Sequence, residues 1–85
     1  MVVKVLGPGS AQCQKLVQEV KRALRYVGLE AKLSTVEDAA ELSEYQLPAT
    51  PALLINGEVK VTGRIPDQAE LTTWLTTAAL REETS

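Results

Sequence analysis

Two residues with chemically useful side chains, Ser10 and Cys13, lie three positions apart near the start of the chain. They follow an apolar segment, Val2–Leu6, and a Gly-Pro-Gly turn at 7–9, and a helical pattern begins directly after the turn. Unpaired N–H groups and the helix dipole favour negative charge at a helix N-terminus. A thiol in such a position ionises more readily, and the thiolate is its reactive form. The spacing therefore predicts a reactive sulfur at Cys13, one helical turn after a hydroxyl.

The residue counts exclude several other kinds of site. The 85-residue chain has one cysteine and no histidine, so it cannot form an internal disulfide. It also cannot supply the four Cys or His ligands of a structural zinc site. A hydrolase of the Cys-His or Ser-His-Asp type would lack its base. We therefore expect no metal and no cofactor. The thiol of Cys13 and the carboxylates of Asp and Glu are the groups that remain for chemistry.

Composition indicates the class of protein. Eighty-five residues with 45% hydrophobic content are enough for a single domain, 1–85, with a small core. The formal net charge is −2 and basic residues are interspersed with glutamates, without the basic patch of a nucleic-acid surface, so we expect no nucleic-acid partner. No apolar run is long enough to span a membrane, and the first six residues are too short for a signal peptide and are followed by no cleavage-site pattern. The expectation is a soluble cytoplasmic monomer.

A long amphipathic helix is predicted to carry Cys13 in its first turn. Ser10 is a favourable N-cap, and Gly28 suits the left-handed position that ends a helix. Between them apolar residues recur at the i, i+3, i+4, i+7 spacing of a helix with one buried face. These residues are Cys13, Leu16, Val17, Val20, Leu24 and Val27. The periodicity places Cys13 on the buried face.

The middle of the chain predicts a second strand and a short helix. Leu29–Ser34 alternates apolar and polar residues, which is typical of a strand with one polar face. Thr35 is expected to cap a helix that runs from Val36 to Ser43 or Glu44, with Asp38 in the reciprocal capping role. A loop should follow at 45–49.

The last third of the chain predicts a hairpin and a final helix. In Thr50–Ile55 a proline leads into an apolar strand, and Asn56-Gly57 is a strong turn signal because both turn positions need positive φ. Glu58–Thr62 is expected to return as an alternating strand at or near a sheet edge. After a bend at 63–66, Asp67 can cap a helix together with Glu70. Its buried stripe would be Leu71, Trp74, Leu75 and Ala78, and Arg81–Ser85 would be a fraying tail.

This order of elements, β-α-β-α-β-β-α, predicts an α/β fold. Each β-α-β crossover should be right-handed. The hairpin adds an antiparallel pair of strands. The expected architecture is a four-stranded mixed sheet with helices on both faces.

Three stretches carry a resemblance to a known family: 7–13 (GPGSAQC), 50–57 (TPALLING) and 63–66 (GRIP). In this order and spacing the chain resembles the thioredoxin-like superfamily. It is most similar to the small archaeal and bacterial thioredoxin/glutaredoxin-like proteins of the redox-active disulfide protein 2 type. With the order of elements, the resemblance spans essentially the whole chain and implies a thiol–disulfide oxidoreductase.

The resemblance also implies roles for particular residues. The family motif is Cys-x-x-Cys, in which the first cysteine attacks a substrate disulfide and the second resolves the mixed disulfide. By position, Ser10 corresponds to the attacking residue and Cys13 to the resolving one. A cis bond before Pro51 would leave the backbone of Thr50 free to pair with an extended substrate. The implied substrate-binding residues are Gly9, Ala11, Gln12, Thr50 and Pro51. The implied partners are protein disulfides and a thioredoxin-reductase-like protein or another reductant.

Ser10 is the departure from the family pattern. A serine hydroxyl is not appreciably ionised near neutral pH and cannot form a disulfide, so this chain cannot run a dithiol cycle. The serine is either an engineered substitution that blocks disulfide formation or a natural residue. The otherwise complete site favours engineering. If the serine is natural, the leading interpretation is a single-thiol or non-catalytic module that binds an extended peptide beside Thr50 and Pro51.

Two further interpretations compete with a redox site. In a purely structural one, Ser10 is only a helix cap and Cys13 is an inert core residue, since cysteine is among the most buried residue types. In the other, the glycine-containing turn between strand and helix binds a nucleotide or another anion. Gln12 stands where the dinucleotide fingerprint requires its third glycine, and Pro8 removes one N–H from the turn.

Overall fold

The computed structural model describes residues 1–84, and these form four strands and three helices. In chain order the elements are β1 (Val2–Leu6), α1 (Ala11–Val27), β2 (Lys32–Val36), α2 (Ala39–Glu44), β3 (Ala52–Ile55), β4 (Glu58–Thr62) and α3 (Gln68–Thr84). Within the described residues, no helix is both long and apolar enough to cross a membrane.

The four strands form one mixed sheet in the order β2-β1-β3-β4. β1 is parallel to β2 and antiparallel to β3, and the hairpin makes β3 antiparallel to β4. β4 lies at the sheet edge, as its alternating sequence predicts. The α/β fold with a four-stranded mixed sheet is therefore confirmed.

Successive strand residues point to opposite faces of the sheet, and helices cover both faces. The two resulting cores differ in size. On one face, Val3 and Val5 of β1 pack with the buried stripes of α1 and α3 into the larger core. On the other face, Leu6, Ala52 and Leu54 form a small core. That small core is covered by partly buried residues in and around α2: Val36, Leu42, Tyr45 and Leu47.

Both ends of α1 agree with the sequence prediction. Ser10 is the N-cap, and its Oγ accepts a hydrogen bond from the N–H of Cys13. Gly28 ends the helix at φ 69°, a left-handed conformation that glycine adopts without steric cost. The hairpin prediction is also confirmed, since Asn56 and Gly57 both have positive φ.

The second strand and second helix begin later than the sequence predicts. Residues 29–31 precede the strand. β2 runs from Lys32 to Val36 because these five residues pair one to one with Val2–Leu6 of β1. Thr35 pairs with Val5 inside the sheet, so it is not the N-cap of α2. Asp38 is the cap instead, and its carboxylate accepts a hydrogen bond from the N–H of Glu41.

The final helix extends through the segment expected to fray. α3 reaches Thr84, and its last turns are attached to the hairpin by two side chains. Arg81 pairs with Glu58 at 3.2 Å, and Glu82 accepts a hydrogen bond from Asn56 at 2.9 Å. The prediction of a fraying tail is therefore wrong for residues 81–84, and Ser85 lies outside the described residues.

The return strand β4 contains an irregularity that the alternating sequence did not predict. Leu53 pairs with Val61, whereas Leu54 pairs with Val59, so the register shifts by one residue between them. Such a bulge places the two valines on opposite faces of the sheet. Val61 enters the larger core, and Val59 remains 53% exposed on the other face.

Candidate functional site

A three-residue turn connects the central strand β1 to the helix that carries Cys13. The N–H of Gly7 donates to the carbonyl of Val36 at 3.0 Å, which extends the pairing with β2 by one residue. Gly9 has a φ of 79°, a left-handed conformation that redirects the chain into α1. The turn therefore fixes the first turn of α1 at the end of β1.

Ser10 and Cys13 contact each other at the start of α1. The hydroxyl of Ser10 donates to Sγ of Cys13 at 3.3 Å, and it accepts from the N–H of Cys13 at the same distance. Ser10 is exposed, whereas Cys13 is only 6% exposed. The sulfur lies beneath the hydroxyl, which shields it on that side.

The sulfur of Cys13 packs against the backbone of Gly7. A methyl group added to the Cα of Gly7 would overlap Sγ of Cys13, and it would lie 3.6 Å from Cβ of Thr50. The absence of a side chain at Gly7 thus creates the space that the sulfur occupies. It also brings the Thr50 loop close to the same point.

The Thr50–Pro51 segment lies beside the Ser10–Cys13 pair. The peptide bond between these two residues is cis. Pro51 is buried, and its carbonyl accepts a hydrogen bond from the N–H of Gly63 at 2.8 Å. Thr50 is exposed, and its backbone groups have no hydrogen-bond partner among residues 1–84. A free donor and acceptor are therefore available next to the site.

A pocket of about 330 Å³ opens on a different side of Cys13. Its floor is apolar, with Val5 and Val17, and its rim carries Gln14, Gln18, Thr35 and Glu37. The carboxylate of Glu37 lies over Gly9, about 3.0 Å from where a side chain on that glycine would begin. Ser10, Thr50 and Pro51 do not line this pocket, so Cys13 lies between the pocket and the Ser10–Thr50 surface.

Comparisons with known proteins agree with this arrangement of turn, helix and loop. Residues 1–76 match a protein family described as the thioredoxin domain. The chain belongs to the thioredoxin-domain family. An archaeal thioredoxin from Methanothermobacter thermautotrophicus is 30% identical over 71 residues, which cover 84% of this chain and 92% of the relative. A thioredoxin from Methanocaldococcus jannaschii is 27% identical over 71 residues, covering 84% of this chain and 81% of the relative.

A solved structure supports the thioredoxin-like fold independently. The solution structure of the N-terminal domain of Synechococcus elongatus SasA superposes with a TM-score of 0.70 at 23% identity. The match covers 94% of this chain and 83% of that structure. At this level of identity the similarity shows the shared fold only.

The thioredoxin-like fold brings the sequence-predicted site residues to one end of the molecule. Gly9 forms the turn, Ala11 and Gln12 are exposed in the first turn of α1, and Thr50 lies next to Gly7. Among residues 1–84, no three His, Cys, Asp or Glu side chains form a group that could hold a metal ion.

Three residues at the site were not singled out from the sequence. Gly7 makes room for the sulfur, Gln14 donates from Nε2 to the carbonyl of Gly9 at 3.4 Å, and Glu37 overhangs the turn. The Gly-Pro-Gly pattern drew attention to the turn but not to the contact between Gly7 and the sulfur. No sequence signal marks Glu37. Its position beside Gly9 depends on where β2 ends and on the register between β1 and β2.

Proposed function

We propose that this chain is a domain of the thiol–disulfide oxidoreductase type in which Ser10 occupies the position of the attacking cysteine, so that the form with Ser10 cannot run the dithiol cycle. The observation that carries the proposal is the 3.3 Å contact between Oγ of Ser10 and Sγ of Cys13 at the N-terminus of α1. Two side chains at this separation need only a small rotation to reach disulfide geometry when both are thiols. The thioredoxin-domain family and the two archaeal thioredoxins support the assignment.

With cysteine at position 10, the exchange follows from the geometry. The exposed thiolate at position 10 attacks one sulfur of a substrate disulfide and releases the other as a thiolate, which solvent protonates. The Cys13 thiolate beneath then attacks the sulfur at position 10. The substrate leaves as a dithiol, and the protein keeps an intramolecular disulfide. Two electrons have passed to the substrate, so an external dithiol reductant must restore the protein.

With Ser10 in place, the first step has no nucleophile. The hydroxyl does not ionise near neutral pH, and Cys13 is shielded beneath it. In the proposed function this form still docks a substrate segment, because docking uses the backbone of Thr50 rather than a thiol. The free N–H and C=O of Thr50 supply the hydrogen bonds by which an extended peptide adds as a strand.

The decisive experiment is the Ser10→Cys variant. We expect it to form one intramolecular disulfide on oxidation and to catalyse reduction of insulin by dithiothreitol, whereas the Ser10 form does neither. Ser10→Ala is the control, since it removes the hydroxyl without adding a thiol. Oxidised, folded Ser10→Cys protein that retains two free thiols would contradict the proposal.

A single-thiol trap tests the order of the two steps. Ser10→Cys combined with Cys13→Ser keeps the attacking thiol and removes the resolving one. It should accumulate as a mixed disulfide with a substrate, because nothing releases the bond. Rapid release of the substrate would show that the second step does not need Cys13.

The second candidate function is a peptide-binding module without catalysis. It is favoured by Ser10 itself, which caps α1 and also satisfies Cys13 with a hydrogen bond, so the present site is complete as a structural element. Binding of a partner that is equal with and without reductant, combined with an inactive Ser10→Cys variant, would identify this function.

A further inference from the structure

A groove remote from Cys13 runs between α1 and α3. It has a volume of about 650 Å³ and is lined by Arg22, Arg25, Tyr26, Gln68, Ala69 and Thr72. We call it the α1–α3 groove. Tyr26 lies thirteen residues after Cys13 on the same helix, a rise of about 20 Å at 1.5 Å per residue. The groove is therefore separate from the site discussed above, and an inference about it does not depend on the proposed function.

The charges in the α1–α3 groove are all of one sign. Arg22 and Arg25 are exposed, and neither forms an ion pair or side-chain hydrogen bond with any residue in 1–84. No carboxylate lines the groove in this part of the chain. The nearest acidic residue of α3, Glu70, is held by Arg64 at 2.7 Å. In a chain with a net charge of −2, the lining of the groove thus carries two positive charges, and the acidic residue closest along α1, Glu19, contacts the groove residue Gln68 through its backbone carbonyl.

An exposed aromatic ring stands between the groove and its continuation along α3. Tyr26 is 83% exposed, and it also lines a second depression with Val27 and a row of threonines. The row consists of Thr72, Thr73, Thr76 and Thr77. Tyrosine and arginine are enriched at the centres of protein interfaces, whereas lysine, glutamate and aspartate are depleted there. Tyr26, Arg22 and Arg25 fit this composition, whereas the threonine row does not, because threonine is under-represented among the residues that dominate binding.

The outer side of α3 lacks the charges that keep a solvent-exposed helix from associating. From Leu71 to Leu80 the helix contains no charged residue. Leu80 is 57% exposed, and the threonines beside it carry only hydroxyls. A surface of this kind is compatible with close packing against another polypeptide, because no buried charge would remain unpaired.

We propose that the α1–α3 groove and the adjoining threonine row bind an acidic segment of a partner protein. The carboxylates of the segment would pair with Arg22 and Arg25, and an apolar side chain would pack on the ring of Tyr26. The two depressions share Tyr26 and Thr72, so their lining forms one surface from Arg22 to Thr77 that is more extended than a site for a single phosphate.

The test uses a fluorescein-labelled peptide of alternating Glu and Asp residues with one central Leu. We expect saturable binding that weakens as salt is added, because the pairing is between exposed charges. Amide resonances of Tyr26, Thr72 and Thr76 should shift on titration. Arg25→Glu should weaken binding about tenfold or more, and Tyr26→Ser should weaken it without changing its salt dependence.

Lys32→Glu is the matched control for Arg25→Glu. It makes the same change in charge at another exposed position that does not line the groove. Equal loss of binding in the two variants would overturn the proposal, because it would show a nonspecific response to net charge. Equal binding of the Gln/Asn version of the peptide would also overturn it. Displacement of the peptide by inorganic phosphate or a DNA oligonucleotide at lower concentration would assign the groove to those ligands instead.

The α1–α3 groove could instead bind a second copy of this chain, and this alternative needs its own test. The acidic residues around α2, such as Asp38 and Glu41, are exposed and have the complementary charge. Sedimentation of the unlabelled protein should show no dimer that depends on Arg25. A concentration-dependent dimer that Arg25→Glu abolishes would assign the groove to self-association and overturn the proposal.

Discussion

Gly7 determines where the sulfur of Cys13 lies. The sulfur occupies the space that a side chain on Gly7 would fill, and the hydroxyl of Ser10 covers it from the other side. Both neighbours keep the thiol buried. We therefore expect Cys13 to react slowly with a bulky thiol reagent in the folded protein and rapidly in denaturant.

Gly7→Ala should move the sulfur from this space. A new methyl group would overlap Sγ, so the side chain of Cys13 must rotate away from its bond with Ser10. We expect faster alkylation of Cys13 and a loss of about 1–3 kcal/mol in stability, as for other overpacked sites. Alkylation kinetics and denaturant unfolding measure the two effects.

The control for Gly7→Ala is the same change in a Cys13→Ala background. Without Sγ, the nearest remaining atoms would be Cβ of residue 13 at 3.7 Å and Cβ of Thr50 at 3.6 Å, which are ordinary contacts. The cost of Gly7→Ala should nearly vanish there. An equal cost in both backgrounds would mean that the backbone of the turn, not the sulfur, requires glycine at this position.

The sequence predicted the pair Ser10 and Cys13 but not the residues that surround it. Helical periodicity predicted the buried side of Cys13, and residue type predicted that Ser10 caps α1. The space at Gly7 is a contact between residues on two elements, and it depends on how closely α1 approaches the end of β1. Local patterns cannot encode such a distance.

At the scale of elements, competing caps explain the largest error in the sequence prediction. Thr35 and Asp38 both have an acidic residue three positions later, Asp38 and Glu41, so either could begin the second helix. Pairing with β1 along its full length draws Thr35 into the sheet, and Asp38 becomes the first free cap. Long-range strand pairing decided between two local signals of similar strength.

The cap of α3 contains more hydrogen bonds than the cap of α2, and its contribution to stability depends on pH. Asp67 and Glu70 accept hydrogen bonds from each other's N–H at 2.8 and 3.2 Å, and Arg64 binds Glu70 through both nitrogens. The bonds from Arg64, and then that from Asp67, lower the pKa of Glu70 from 4.5 to about 2. The folded pKa lies below the unfolded one. The ionised carboxylate therefore stabilises the fold above about pH 4.5, and this contribution is lost as the pH falls towards about 2.

Glu70→Gln should remove this contribution. We expect the variant to melt at a lower temperature than the parent at about pH 7, with the difference disappearing by about pH 2. Thermal melts followed by circular dichroism across this range measure it. Glu41→Gln is the matched control, since Glu41 stands at the same position of the α2 cap but its side chain makes no reciprocal bond within residues 1–84. A parallel loss in both variants would show that the effect comes from overall charge.

At the scale of the whole molecule, the sheet separates two cores of very different size. The larger one, between the sheet and α1 and α3, holds wholly buried residues from every layer, including Leu16, Leu53 and Leu71. The smaller one has three buried residues in the described chain, and α2 contributes none of them. The order of elements predicted helices on both faces of the sheet, but the six-residue α2 buries no side chain, so the two cores are unequal.

This asymmetry predicts that α2 opens independently of the rest of the fold. The site is anchored on the larger core through α1, so opening of α2 should leave Cys13 protected. We expect amide hydrogens of Ala39–Glu44 to exchange at least about a hundredfold faster than those of β1 and β3, because only partly buried side chains such as Leu42 hold the helix. Hydrogen exchange followed by NMR measures both sets of amides.

Two variants separate local opening from global unfolding. Leu42→Ala should cost about 1 kcal/mol, accelerate exchange in α2 alone and leave the alkylation rate of Cys13 unchanged. Leu53→Ala removes a wholly buried side chain from the larger core, so it should cost about 2–5 kcal/mol and accelerate exchange throughout the sheet. If Leu42→Ala also accelerated exchange in β1 and alkylation of Cys13, the two cores would unfold as one unit. The small core would then contribute to holding the sulfur in place.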